Sequence, residues 1–343
     1  MTFKHLFNKN FGKYLLGRIG QTIMVIIIGI TITFIIPRLA PTNPVELKIQ
    51  QMMVSGANIH PEAIRQFREA MNDIYGLKGT LLEQYVNFWG RLARGDLGPS
   101  IFSFPYPATD IIMKSMPWTI GLLLSTSVIS WIFGNLLGGL AGYYSNRRWT
   151  RWAELLANSI RPIPYYIFAF ILLIVFCFVF PLFPTLGAYD RGMDENWMNP
   201  AFLLSVLHHT FLPALSLVLT GLGGWLLGMR ALVSNIISED YVQYAEVAGV
   251  KKKTILYQYV MRNAMLPQIT GLGMSLGGIF SGALITEYVF GIPGMGQLAY
   301  RAIVGFDYSL IMGVSIFSIV GVSVAVLIVD LLYPIFDPRV RLN

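Results

Sequence analysis

Long apolar stretches alternate with shorter polar stretches along most of this 343-residue chain. A charge-free apolar segment of about 20 residues can cross a bilayer as a helix, because a helix pairs its own backbone polar groups. We therefore predict an all-α polytopic membrane protein with six transmembrane helices. The six stretches are Ile19–Ile36, Trp118–Tyr144, Ile163–Pro181, Pro200–Met229, Asn263–Thr286 and Tyr308–Val329. The fourth is too long for one crossing, so we expect an interfacial turn near Asn199–Pro200.

Composition and charge agree with this pattern. The chain is 55% hydrophobic and 13% charged, whereas soluble domains are roughly 25% charged. The net charge of +7 is dispersed between the apolar stretches, so it reports topology and not a nucleic-acid-binding patch. Basic residues are retained on the cytoplasmic side. They are frequent at Lys4–Arg18, Arg147–Arg161, Arg230–Arg262 and Arg339–Arg341. We therefore expect a multi-pass protein of a bacterial or archaeal cytoplasmic (inner) membrane, with both termini cytoplasmic.

The polar stretches divide the chain into three parts. Residues 1–37 form the cytoplasmic N-terminus and first span, 38–117 form an external loop, and 118–343 form a five-span core with a cytoplasmic loop at 230–266. Within the external loop we predict helices from Pro61 to about Gly76 and over Leu81–Ala93, each with one apolar face. They are too small to bury a core alone, so they lie on the membrane surface or cover the passage.

The polar segment Glu239–Pro267 is the most informative connection. It has helical periodicity up to Gly249 and then three lysines, Lys251–Lys253. Two adjacent faces of this helix carry Tyr241, Ala245, Ala248 and Lys252, and Val242, Glu246 and Gly249. A helix of this kind fits the groove of a partner protein, and it equally suits an anionic lipid surface. The residues alone leave both interpretations open.

The fifth apolar stretch carries small residues at helical spacing. Gly271, Ser275, Gly278 and Gly282 fall at i, i+4, i+7 and i+11, which predicts one side of a single helix. Such a face either packs tightly against another helix or forms the wall of a passage. Ser275 also lies in a Gly-x-Ser-x-Gly pattern. A hydrolase needs this serine on a strand-to-helix turn, and here it lies in a helical run, so we interpret the match as coincidence.

Two acidic residues lie near the ends of apolar stretches. Glu287 follows the fifth stretch, and Asp330 lies late in the sixth. Glu287 is a candidate gate or solute contact, and Asp330 is a candidate for a structural pair. The interpretation we favour is that both carboxylates reach water or lipid headgroups.

The sequence lacks the residue patterns of an ATP-binding loop and of a metal site. No Gly-x-x-x-x-Gly-Lys-Ser/Thr loop occurs, so ATP is not bound by that route. Cys177 is the single cysteine, and His208 and His209 are adjacent, which makes them poor joint metal ligands. We therefore expect no metal, cofactor or catalytic residue on this chain.

A series of short motifs runs from one end of the chain to the other. The motifs are Arg38-Leu39-Ala40-Pro41, Asn43-Pro44, Gly90-Arg91-Leu92, Gly95-Asp96-Leu97-Gly98, Leu212-Pro213-Ala214-Leu215, Asp240-Tyr241-Val242, Ala245, Gly249, Arg262-Asn263-Ala264, Pro267, Glu287-Tyr288-Val289-Phe290, Pro293-Gly294-Met295-Gly296, Asp307-Tyr308 and Asp337-Pro338-Arg339-Val340-Arg341-Leu342. In this order and spacing the chain resembles the dipeptide/oligopeptide permease family of ABC importers, specifically the subunit with a long first external loop.

The resemblance implies a fold, partners and a docking site. It implies the type I ABC importer permease fold, a homologous second permease subunit and an extracytoplasmic substrate-binding protein. Two ABC ATPase subunits would carry ATP and Mg²⁺, while this chain would be a non-catalytic translocation subunit in contact with membrane lipid. The implied ATPase-coupling residues are Tyr241, Tyr244, Ala245, Glu246, Ala248, Gly249 and Val250. The candidate translocation-path residues are Gly271, Ser275, Gly278, Gly282 and Glu287.

The sequence leaves more than one substrate and more than one mechanism open. Members of the family move di- and oligopeptides, and relatives carry oligosaccharides or nickel. A secondary carrier would need inverted repeats or coupling charges within the membrane, and neither is seen. A membrane-embedded hydrolase that uses Ser275 is the remaining alternative.

Overall fold

The computed structural model describes residues 9–39, 44–54 and 60–336, and these residues are mostly helical. The helices are α1 (Lys9–Leu39), α2 (Pro44–Val54), α3 (Pro61–Ile74), α4 (Leu81–Leu92), α5 (Ala108–Tyr143), α6 (Arg148–Ile160), α7 (Tyr165–Leu173), α8 (Pro200–Ile237), α9 (Asp240–Val247), α10 (Lys252–Thr254), α11 (Arg262–Gly277), α12 (Leu284–Phe290), α13 (Met295–Val304) and α14 (Tyr308–Phe336). Lys4, Ala40–Pro41, Asn43 and the Asp337–Leu342 motif lie outside the described residues.

Three irregular helical segments complete the set. The π-helical residues Ile174–Val179 extend α7, and the π-helical residues Ile255–Met261 join α10 to α11. A short 3-10 turn at Gly278–Ser281 ends α11.

The spanning helices agree with the prediction of six crossings. In the described part of the chain, α1, α5, α8 and α14 are each long and apolar enough to cross a membrane. Two further spans are bent, by 96° between α6 and α7 and by 55° between the α10–α11 segment and α12. Counting each bent pair once gives six spans. The prediction of an all-α polytopic membrane protein is therefore confirmed.

The fourth span is one unbroken helix from Pro200, and the turn predicted near Asn199–Pro200 lies directly before it, at residues 197–198, and not within it. Asn199 precedes the helix as its N-cap, and its side-chain oxygen accepts a hydrogen bond from the Ala201 amide at 3.0 Å. The 38 residues of α8 measure about 57 Å at the rise of an α-helix, against a hydrocarbon thickness of about 30 Å. Helix α8 is therefore longer than one perpendicular crossing requires.

The fifth span is broken, so the four small residues do not lie on one side of a single helix. The helix ends at the 3-10 turn, and Gly282 has a φ of +76°. That left-handed conformation is incompatible with an α-helix and is open mainly to glycine. The chain then restarts as α12 at a different angle. The prediction of continuous helical spacing through Gly282 is therefore wrong.

Helices α5 and α8 form the central packing unit, and glycines allow their close approach. Carbon added at Gly138 would overlap the backbone carbonyl of Leu226, and at Gly142 it would lie 2.8 Å from Val233. Gly134 likewise faces the Trp225 side chain. Small residues let helix backbones come together in lipid, where apolar burial does not drive association.

Replacing Gly138 with alanine is expected to lower the stability of the helical core by about 2 kcal/mol, because the new methyl group must push α8 away. Gly121→Ala is the matched control, since it lies on the same helix and its added carbon meets nothing within 4 Å. The melting temperatures of the two purified variants are compared by heating each sample and measuring the remaining folded protein by size-exclusion chromatography. Equal melting temperatures for both variants would contradict the close α5–α8 contact.

The segment between α1 and α5 packs onto the spans. The α3 and α4 helices confirm the two helices predicted there, and the Phe34 ring on α1 lies 5.2 Å from both Tyr85 and Phe88 on α4. Helix α5 begins at Ala108, within the predicted loop, since Ala108 and Ile112 are fully buried against α14.

Asp330 is paired and does not simply reach water, which corrects the favoured interpretation. Its Oδ2 lies 3.3 Å from the Arg18 guanidinium on α1. The Tyr14 hydroxyl also donates to the Asp330 carbonyl at 3.2 Å. These contacts join the first and last spans near one membrane surface.

Candidate functional site

Helix α9 is a short helix held against the ends of longer ones. Val242 is 1% exposed and Ala245 is 7% exposed. Both pack in an apolar cluster with Met229 and Val233 of α8 and with Val260. Burial of one side of α9 fixes its orientation, so that the remaining side chains point away from the bundle.

Gly249 ends α9 in a specific backbone motif. Its φ is +76°, its amide donates to the Glu246 carbonyl at 3.0 Å, and the Val250 amide donates to the Ala245 carbonyl at 3.1 Å. These two bonds form the Schellman arrangement, which pairs the last carbonyls of a helix and favours glycine at this position. The prediction of a helix that ends at Gly249 is confirmed.

The exposed face of α9 is apolar and aromatic. Tyr244 is 75% exposed and Val247 is 89% exposed, and Tyr241 lies beside them. Glu246, Ala248 and Gly249 are exposed as well, and Val250 is partly buried. Ala245 faces the bundle, so its predicted place on the outward face with Tyr241 and Ala248 is wrong. The outward face is centred instead on Tyr244 and Val247.

A hydrogen-bonded network joins α9 to the start of the fifth span. The Asn263 side-chain amide donates to the Tyr241 hydroxyl at 3.1 Å and to the Tyr259 carbonyl at 2.6 Å. On the other side of α8, Arg230 makes a 2.8 Å ion pair with Glu154 of α6. Helix α9 is therefore linked to the fifth span by a hydrogen bond and to α8 by apolar packing, and α8 is in turn joined to α6 by the Arg230–Glu154 pair.

The five candidate path residues lie in four different environments, of which the buried site of Glu287 is described below. Ser275 is exposed on α11 and Gly278 is exposed at the start of the following 3-10 turn, where an added Cβ meets nothing within 4 Å. A Cβ added at Gly271 would lie 3.2 Å from the Trp225 ring of α8, and Gly282 lies at the helix break. The structure therefore brings only Ser275 and Gly278 to a common open face, while Gly271 serves packing.

The hydroxyl of Ser275 is used inside its own helix. It donates to the Leu272 carbonyl at 2.8 Å. Within the described residues, no histidine or carboxylate is hydrogen-bonded to it. A nucleophilic serine needs such a base within reach, so the geometry does not favour a hydrolase.

Glu287 is fully buried, which corrects the expectation that it reaches water or headgroups. Its Oε2 accepts from the Gly296 amide at 2.7 Å and the Gln297 amide at 3.1 Å, and its Oε1 accepts from the Thr119 hydroxyl at 2.7 Å. The Thr119 oxygen in turn accepts from the Met295 amide at 2.7 Å. Glu287 therefore caps the start of α13 and ties α12, α13 and α5 together.

The glycines around Glu287 are required by this packing. Carbon added at Gly294 would overlap the Glu287 carboxylate, and carbon added at Gly296 would lie 2.5 Å from the Leu284 backbone. The Pro293-Gly294-Met295-Gly296 motif stands out in the sequence, whereas its contact with Thr119 does not. A signal for the buried position of Glu287 was present in the sequence. The carboxylate lies shortly before a helix that starts between two glycines, and acidic groups are stabilised at the N-terminus of a helix.

The chain matches one protein family and is similar to several peptide permeases. A family model described as "Binding-protein-dependent transport system inner membrane component" matches residues 134–342. The oligopeptide transport system permease protein AppB of Bacillus subtilis is 29% identical, over 92% of this chain and 95% of that protein. The oligopeptide permease OppB of Haemophilus influenzae is 28% identical, over 96% and 99%. The dipeptide permease DppB of Bacillus subtilis is also 28% identical, over 96% and 98%.

Proposed function

The chain belongs to the family of binding-protein-dependent transport system inner membrane components, and we propose that it is the permease subunit of an ATP-driven importer of oligopeptides or dipeptides. In this role it works with a homologous second permease, two ABC ATPase subunits and an extracytoplasmic substrate-binding protein. ATP and Mg²⁺ are held by the ATPase subunits. The chain provides part of the passage and the contact through which ATP-driven movement reaches it.

One observation carries the proposal beyond family membership. Helix α9 exposes Tyr244 and Val247 on a helix whose opposite side is locked into the bundle. Aromatic and aliphatic side chains presented by a rigid helix are the anchors of helix-in-groove recognition. A lipid contact would instead favour apolar residues along one side with basic residues around them. The exposed Glu246, between Tyr244 and Val247, fits protein docking better.

Movement passes from α9 to the passage through rigid contacts. A partner that displaces α9 also displaces Asn263 through Tyr241, and it displaces α8 through the buried Val242. Both spans then move as bodies, which is the mechanical requirement of alternating access. The topology that fits this role has both termini and α9 on the cytoplasmic side and the α2–α4 segment outside.

The test is ATPase activity of the reconstituted complex with its binding protein, titrated with peptides and with oligosaccharides in parallel. We expect stimulation by peptides and none by sugars. Stimulation by sugars alone would keep the importer mechanism and refute the peptide assignment. Purification of the chain with its genomic neighbours and no ATPase subunit bound would refute the importer role.

Replacing Gly249 with valine is expected to reduce substrate-stimulated ATPase activity while the protein stays folded. The left-handed conformation is strained by about 1–2 kcal/mol for residues with a Cβ, and a Cβ added at Gly249 meets nothing within 4 Å. The effect is therefore a change of backbone direction at the end of α9. Gly249→Asn is the matched control, because asparagine tolerates this conformation. Equal activity of the two variants would argue against a role for the α9 terminus.

A further inference from the structure

A cavity lies in the segment between α1 and α5, away from α9. A cavity of about 280 Å³ is enclosed by α2, α3 and the loop at 101–104. This is close to the lower end of small-molecule sites, which measure roughly 300–1,000 Å³. Its wall includes the side chains of Phe67 and Met71 on α3 and of Phe104 on the loop. The lining is therefore mainly apolar and suits an aliphatic or aromatic group.

One charged side chain interrupts this apolar lining. Lys48 of α2 lies on the cavity wall and is partly buried. Within the described residues no carboxylate lies within ion-pair distance of its ammonium group. The undescribed segments on either side of α2, residues 40–43 and 55–59, contain no acidic residue. The Lys48 ammonium group is therefore available to an anionic ligand.

The nearby acidic groups are already occupied. Glu46 on α2 pairs with Arg68 on α3 through two hydrogen bonds, which also hold the two helices together. Asp307, at the start of α14, accepts from the Ser100 hydroxyl and from the Phe102 and Leu310 amides. Neither carboxylate is free to neutralise Lys48.

The loop side of the cavity is held in place by hydrogen bonds to Asp307 and contributes no positive charge to the lining. The Phe102 backbone amide donates a hydrogen bond to the Asp307 carboxylate, which positions the loop. The shape of the cavity wall therefore does not depend on a ligand. Burial, and secondarily the Asp307 carboxylate, raise the pKa of Tyr75, so its phenol remains uncharged at neutral pH. An anionic group is therefore repelled from the Asp307 side and attracted to Lys48 on α2.

We propose that this cavity binds a small apolar carboxylate, with its anionic group on Lys48 and its apolar part against Phe67, Met71 and Phe104. Two sources have this chemistry, a hydrophobic residue at the C-terminus of a peptide and a short fatty acid. The site is distinct from the α9 surface, and its occupancy requires neither ATP nor the partner subunits.

Calorimetric titration of the complete chain with its partner subunits, in phosphatidylcholine nanodiscs, tests the site. The probes are N-acetyl-leucine and its amide, and hexanoate and hexanol. We expect at least one acid to bind about tenfold more tightly than its neutral counterpart, the ratio supplied by one charge-assisted hydrogen bond. Tighter binding of N-acetyl-leucine identifies the peptide terminus as the source, and tighter binding of hexanoate identifies the fatty acid.

Variants of Lys48 separate charge recognition from general apolar binding. Lys48→Met is expected to abolish the preference for the acid, and Lys48→Arg to retain it. Lys78→Met is the matched control, because Lys78 is an exposed lysine of the segment between α1 and α5 that pairs with Asp73. Equal binding of acid and amide by the unaltered protein overturns the proposal. So does an unchanged preference in Lys48→Met, or no saturable binding up to about 10 mM, where a millimolar site is filled. ATPase stimulation by peptides is measured separately, so failure here leaves the importer role untouched.

Discussion

Replacing Glu287 with glutamine is expected to lower the stability of the folded chain by about 3 kcal/mol or more. Every hydrogen bond of the carboxylate is with a donor: two backbone amides of α13 on one oxygen, and the Thr119 hydroxyl and the Ala283 amide on the other. A carboxylate is acceptor-only and satisfies all of them, whereas an amide presents one oxygen and one NH₂. Glutamine therefore leaves at least one buried donor unpaired and brings its own donor against another.

The loss of stability is measured as a shorter half-life of the folded protein at a fixed elevated temperature, because membrane proteins of this size unfold irreversibly. Glu69→Gln is the matched control, since Glu69 is an exposed residue of α3 whose only described ion pair is with Arg65. A second variant, Thr119→Val, should lose part of the same stabilisation, and combining it with Glu287→Gln should give less than the sum. Equal half-lives for Glu287→Gln and Glu69→Gln would show that the cap contributes nothing.

Replacing Tyr244 with alanine is expected to weaken retention of the ATPase subunits by about thirtyfold, the effect of losing an aromatic anchor at an interface. The side chain is largely exposed on α9 and packs against none of the buried clusters, so its removal leaves the fold intact. Substrate-stimulated ATPase activity should fall in parallel. Co-purification and the unfolding temperature, measured on the same preparation, separate lost docking from lost folding.

The control for Tyr244 is Tyr106→Ala. Tyr106 is a similarly exposed tyrosine just before the start of α5, whereas Tyr143, at the other end of α5, packs in the cluster that holds α9. We expect it to leave ATPase retention unchanged. If Tyr244→Ala retained the ATPase subunits as well as Tyr106→Ala does, α9 would not be the docking element. The exposed Val247 supplies a second variant, Val247→Ser, expected to act in the same direction with a smaller effect.

Much of the architecture could be predicted because lipid imposes simple local rules. A long apolar run must be helical wherever it crosses the membrane, so six runs predicted six spans. The end of α9 at Gly249 was also predictable, because a glycine after helical periodicity marks a left-handed helix cap. The external helices α3 and α4 followed from the same periodicity, since Pro61 starts α3 and Gly95 follows α4.

The errors arose where a residue's role depends on a partner distant in sequence. Helical spacing placed Ala245 on the outward face of α9, but the cluster around Met229 and Val260 decided which side is buried. Spacing likewise treated the fifth span as continuous, although Gly282 breaks it where it meets Gly296. Hydropathy placed Glu287 near water, although the amides of α13 and the Thr119 hydroxyl satisfy it inside the protein.

The sequence by itself determined the class of protein, the number of spans, the position of α9 and, through its motifs, the family. These depend on local periodicity and on residue order, which a single chain displays. Only the tertiary structure decided which face of α9 is free, where the fifth span breaks, how Glu287 and Asp330 are paired, and that Lys48 lines a cavity. Each of these is a contact between segments far apart in the chain, and the energy of a buried polar group depends on which partner the fold brings to it.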